Sequence, residues 1–139
     1  LNNRISKWQI LNTGQVVFDS NFRWADADNK YFTPTDVAID SKNRLFVTDQ
    51  FNDCIRVFDS DGRQLWSYGK PGYCDDIDSD YENFILPTSL CIEDDELIIN
   101  DLVNRALKIF KIEENSLQFL GGKKAFKERP KEGGIWMPY

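Results

Sequence analysis

The chain has 139 residues, 17 Lys plus Arg against 23 Asp plus Glu for a net charge of −6, 41% hydrophobic residues and no His. That is one domain's length with enough apolar and aromatic content for a packed core. The absence of His removes Ser–His and Cys–His nucleophiles and His-ligated zinc or haem, the acidic balance argues against a general nucleic-acid binder, and no apolar run approaches the ~20 residues of a membrane span.

In chain order, the sequence predicts short strands and no long helix. Val37-Ala-Ile39 is apolar, Leu45-Phe-Val-Thr48 is rich in β-formers, and Ile55-Arg-Val-Phe58 and Gln64-Leu-Trp-Ser-Tyr68 alternate with period two. Asp40-Ser-Lys-Asn43, Asp49-Gln-Phe-Asn52 and Asp59-Ser-Asp-Gly62 supply turn residues between them. A second set follows at Ser89–Ile92, Leu97–Asn100, Ala106–Ile112 and Leu117–Leu120, where Gly121-Gly122 reads as its end. The reading is two units of four antiparallel strands.

The two sets are copies. Asn52-Asp-Cys-Ile-Arg-Val-Phe58 aligns with Asn104-Arg-Ala-Leu-Lys-Ile-Phe110 at an offset of 52, and with Asn2-Asn-Arg-Ile-Ser-Lys-Trp8 at an offset of 50. Leu45-Phe-Val-Thr-Asp49 matches Leu97-Ile-Ile-Asn-Asp101, whereas Pro34 and Pro87 stand 53 apart. Recurrence in a fixed order at one period is the mark of a repeat architecture, and four-stranded meanders at this period are β-propeller blades. A β-sandwich would account for the strands but not for the recurrence.

The pattern Pro-x-x-Val-Ala-Ile-Asp over 34–40, followed by Leu-Phe-Val-Thr-Asp-x-x-Asn-x-x-Ile-x-Val-Phe-Asp-x-x-Gly over 45–62, closely resembles the NHL repeat. The resemblance implies an all-β, NHL-like propeller of four-stranded blades, incomplete here and part of a six-bladed ring. It divides the chain into outer strands of one blade (1–24), a complete blade (25–72), a second blade with a long acidic lead-in (73–122), and a basic linker with the start of the next blade (123–139). Where such repeats usually carry Gly, this chain has Asp36 and Ser89. In a propeller these positions face the central channel. That makes them ligand candidates there, with bonding to solvent as the alternative.

The linkers differ in charge. Asp75, Asp76, Asp78, Asp80 and Glu82 crowd one of them, flanked by Tyr73 and Tyr81. Asp76, Asp78 and Asp80 alternate as in a calcium loop, but Tyr81 and Pro87 stand where an EF-hand needs Gly and Glu. The expectation is a loop that docks a protein partner through Tyr73, Asp75, Tyr81 and Glu82, with calcium as the lesser reading and no other cofactor. Lys123, Lys124, Lys127, Arg129 and Lys131 form a basic counterpart. Asp49-x-x-Asn52 and Asp101-x-x-Asn104 recur in both units and read as turn scaffold.

Three cysteines with no CxxC pair make a disulfide framework unexpected. Cys54 and Cys91 lie in apolar runs and read as core, while Cys74 sits in the acidic stretch. Because ~50 residues make a blade and propellers have 4–8 of them, the remaining blades are expected from a longer chain or a partner chain.

The functional expectation is a non-catalytic interaction platform or structural subunit. The alternatives are part of a calcium-dependent lactonase- or esterase-like hydrolase and, last, an RNA-binding NHL domain. The composition singles out no compartment.

Overall fold

The computed structural model describes residues 4–21 and 32–125. An antiparallel hairpin of β1 (Ser6–Ile10) and β2 (Val16–Asn21) comes first. Then β3 (Pro34–Ile39), β4 (Leu45–Asp49), β5 (Cys54–Phe58) and β6 (Gln64–Tyr68) form a four-stranded antiparallel meander. After a short parallel bridge between β7 (Lys70–Pro71) and β8 (Asn83–Phe84), a second meander is built from β9 (Pro87–Glu93), β10 (Glu96–Asp101), β11 (Ala106–Ile112) and β12 (Leu117–Lys124).

The turns follow from local side-chain chemistry. Asp40 Oδ1 accepts the N–H groups of Lys42 and Arg44, and Asp59 Oδ1 accepts those of Asp61 and Arg63. In each case an Asp closes the hairpin on its own backbone. The β9–β10 turn places Asp94 and Asp95 at φ 47° and 63°, the double left-handed geometry of a tight hairpin. Both meanders carry a bulge at the same place, between Val57 and Phe58 and between Ile109 and Phe110.

The offsets of 52 and 53 differ by one residue for a structural reason. Thr33 N–H donates to Asp49 Oδ1, and Ile85 N–H donates to Asp101 Oδ1, so the blades are in step there. The extra residue is Leu86. It adopts a left-handed φ of 54°, and its N–H is held by Asp53 Oδ1 at 2.7 Å.

The main core lies between the two meanders. Phe46, Ile55 and Val57 from the first sheet meet Leu90, Leu97, Ile99, Phe110 and Leu117 from the second, with Phe84 between them. The opposite face of the first sheet buries Phe32, Leu45, Val47 and Phe58, joined by Ile5 ahead of the hairpin. The first meander therefore has one face toward the second meander and the other toward the residues that precede it.

Two expectations change, on Cys91 and on Gly121-Gly122. Cys91 is exposed and Cys74 is buried. Cys91 occupies the repeat position of Ala38, which the second blade covers; on the second blade that face has no neighbour among the described residues. Cys74 is drawn inward because its N–H donates to Asn104 Oδ1. Finally, Gly121-Gly122 lies within β12, which continues to Lys124.

Candidate functional site

The loop end of the blades, where β4 and β10 finish and β3 and β9 begin, gathers most of the candidate residues. Its foundation is a buried polar cluster repeated in both blades. In the first, Asp49 Oδ2 accepts from Asn52 Nδ2 at 2.8 Å and from Arg56 Nε at 2.6 Å. In the second, Asp101 Oδ2 accepts from Asn104 Nδ2 at 2.8 Å and from Lys108 Nζ at 2.8 Å. Both carboxylates are fully buried. The Asp and Asn are turn scaffold, as their recurrence suggests. The cation seven residues after each Asp escaped the sequence reading. Its signal was Arg56 and Lys108 falling at one repeat position inside apolar strands.

Asp36 lies at the joint between the blades. Its Oδ2 accepts the N–H of Leu90 at 3.0 Å, while Oδ1 accepts the N–H of Val37 at 2.9 Å. Thr35 adds a contact from its Oγ1 to the carbonyl of Pro87. Ser89, at the equivalent position of the second blade, is exposed. At the far end of the same joint, Arg44 Nη1 donates to the carbonyls of Glu113 and Glu114, and Lys42 pairs with Glu114. Trp66 Nε1 and Tyr68 Oη are buried without a hydrogen-bond partner among the described residues.

The acidic linker folds on itself. Asp76 Oδ1 accepts the N–H of Asp78, and Asp80 Oδ2 accepts the N–H groups of Asp75 and Asp76. Among the described residues, no group of three or more His, Cys, Asp or Glu side chains stands together to hold a metal ion. Asp76, Asp78 and Asp80 thus form no ready-made cation cage. Tyr81 turns inward and stacks on Phe119, ring centroids 4.6 Å apart, whereas Tyr73 is exposed. Glu82 is exposed and lies 3.6 Å from Lys70.

Of the basic candidates, Lys123 is exposed at the end of β12, and Lys124 Nζ donates to the carbonyl of Cys74, clamping the linker down. Lys127, Arg129 and Lys131 lie outside the described residues. Burial first, then the Asp101 and Asp80 charges, push the Cys74 thiol up against the opposing pull of Lys108 and Lys124.

No family model and no curated protein matches this chain. Solved structures do. A protein from Lactobacillus plantarum superposes with a TM-score of 0.59 at 15% identity, over 86% of this chain and 32% of its own. A streptogramin B lyase gives 0.56 at 15% identity, over 84% and 33%. A protein from Bacteroides uniformis, described as a candidate 6-phosphogluconolactonase, gives 0.60 at 14% identity, over 89% and 37%. The fold is a partial β-propeller. The chain spans about a third of the length of these six-bladed propellers. Among the described residues, no helix is long and apolar enough to cross a membrane.

Proposed function

We propose that this chain is an NHL-type portion of a six-bladed propeller that serves as a non-catalytic platform for protein partners. Residues 25–72 and 73–122 act as its two blades. Residues 1–24 and those after β12, which carries the second blade on to Lys124, belong to the blades on either side, completed by more of the same polypeptide or by a partner chain. The observation that most supports the platform reading is where the carboxylates are spent. Asp49 and Asp101 are buried in the turn clusters, Asp36 ties one blade to the next, and Asp76 and Asp80 hold the linker's own backbone.

A calcium-dependent hydrolase needs carboxylate oxygens directed at one shared ion. Asp36, the candidate for that role, already receives two backbone N–H groups. The lyase and the lactonase-like neighbour share this scaffold while differing in name and chemistry, so the scaffold alone carries no activity to this chain. An RNA-binding role has less support, because the acidic linker repels phosphate.

The test is a photo-crosslinking residue placed at Tyr73 in the full-length protein, irradiated in an extract of its source. The platform reading expects a discrete protein adduct that saturates. The absence of such an adduct, or calcium-dependent turnover of lactone or ester substrates by the protein, would overturn it.

A further inference from the structure

Resting on the platform reading, we infer that the loop end of the two blades docks a protein segment that is basic and carries apolar side chains. The first observation is a repeated display of apolar tips. Asp49 receives both Asn52 and Arg56, and of the two residues between Asp49 and Asn52, Phe51 is 66% exposed. Asp101 likewise receives both Asn104 and Lys108, and Leu102 and Val103, between Asp101 and Asn104, are 40% and 42% exposed. The buried clusters fix these turns, and the fixed turns hold large apolar side chains in water. Asp53 and Arg105, which close the turns, share a left-handed φ of 52° and 51°.

Hydrogen bonds place these tips along one linker. Asp53 receives the N–H of Leu86, and the N–H groups of Leu102 and Val103 donate to the carbonyls of Leu86 and Ile85. Asn104 receives the N–H of Cys74, which brings the exposed Tyr73 alongside. Apolar side chains clustered on a rigid surface and bordered by charge mark an interaction site, and aromatic anchors carry most of the energy in such sites.

Charge selects the occupant. Residues 75–82 hold five carboxylates and no cation. Of the neighbouring cations, Lys70 pairs with Glu82 and Lys124 with the Cys74 carbonyl, which leaves Lys123 and Arg105 to set against the five carboxylates. A negative field beside Tyr73 and Val103 complements lysine or arginine interspersed with apolar residues and repels a phosphate backbone.

The test uses the full-length protein and three synthetic peptides of equal length: mixed Lys/Leu, mixed Lys/Ser and mixed Glu/Leu. Titration calorimetry is expected to find Lys/Leu bound at least about tenfold more tightly than Lys/Ser, and Glu/Leu not bound. Replacing both exposed tips (Phe51→Ser with Val103→Ser) should weaken Lys/Leu by about tenfold or more. Asp75→Asn with Asp78→Asn should weaken it and flatten its dependence on salt. Circular dichroism confirms that the variants fold. Equal affinity for Lys/Leu and Lys/Ser, unchanged affinity in the Phe51/Val103 variant, or no binding at all would overturn the inference. A Tyr73 adduct in the crosslinking experiment together with any of those results keeps the platform and rejects this partner chemistry. No adduct and no peptide binding rejects both.

Discussion

Lys108 and Asp101 form an ion pair of 2.8 Å in which neither side chain keeps any exposure to solvent. Arg56 and Asp49 form its counterpart one blade earlier, at 2.6 Å. Each carboxylate also receives an Asn amide and the N–H that leads into the inner strand, Thr33 in one blade and Ile85 in the other. One cluster thereby joins the first three strands of a blade and shapes the loop above them.

Removing one partner of such a pair leaves a buried charge uncompensated. Lys108→Met should cost about 3–5 kcal/mol in urea unfolding. Lys111→Met, an exposed change on the same strand, should stay within about 0.5 kcal/mol. Equal effects of the two would show that the cluster carries no special weight.

Asp36 separates a scaffold role from a ligand role. Asp36→Ala strands the buried N–H of Leu90 and should lower stability by about 1–3 kcal/mol. Ser89→Ala, at the repeat-equivalent exposed position, should change it by less than about 0.5 kcal/mol. Thermal unfolding of both variants measures the difference. A stability-neutral Asp36→Ala would return this residue to the pool of channel ligands.

The repeat, the strand order and the Asp–Asn turns were legible because they depend on period and local turn chemistry. The third member of each cluster was not. Whether Arg56 points toward Asp49 depends on the β4–β5 register, where Asp49 faces Cys54, two residues away. Cys91 was misplaced for a related reason. The run Leu90-Cys91-Ile92 looks apolar in sequence, yet Cys91 shares its face with Ser89 and Glu93, and burial there needs a neighbouring blade. The same logic covers the hairpin: Trp8 is 57% exposed, while Phe58 and Phe110, its repeat equivalents, are 2% and 0% exposed beneath a preceding sheet or loop. Gly121-Gly122 looked like a stop, but the strand runs through it and Gly122 is closely fitted. A Cβ on Gly122 would come within 2.5 Å of Ile77 Cδ1 and 2.4 Å of the Leu107 carbonyl.

Gly69 is required on two counts. Its φ is +102°, and an added Cβ would lie 2.6 Å from Phe84 Cδ2. Gly69→Ala should cost more than about 2 kcal/mol, the left-handed penalty plus displacement of a buried ring. Gly14 has φ +80° with open space around it, so Gly14→Ala should cost only about 1–2 kcal/mol. Chemical denaturation of the pair decides whether Phe84 packing adds to backbone strain.

Thiol labelling reads the blade faces directly. Burial pushes the Cys54 thiol up to about 11, and Asp49 adds to the effect. Native alkylation near neutral pH should therefore modify Cys91 and spare Cys54 and Cys74, with all three modified after unfolding. Because the folded Cys54 holds its proton above the ordinary thiol value of 9.0, its contribution to stability is intact below pH 9 and is lost as pH rises toward 11. Rapid native labelling of Cys74 would contradict its burial within the linker, where its N–H is held by Asn104.

The most direct measurement on the platform claim is thermal unfolding with and without calcium, on the parent chain and on Asp36→Asn and Asp76→Asn/Asp78→Asn/Asp80→Asn variants. A ion bound only by the folded state raises the midpoint in proportion to RT ln(1 + [L]/Kd). With Asp36, Asp76 and Asp80 already receiving backbone N–H groups, the account predicts no calcium-dependent shift in any of these proteins. A rise in the parent that grows with the logarithm of calcium concentration and disappears in either variant would show a built cation site and contradict it.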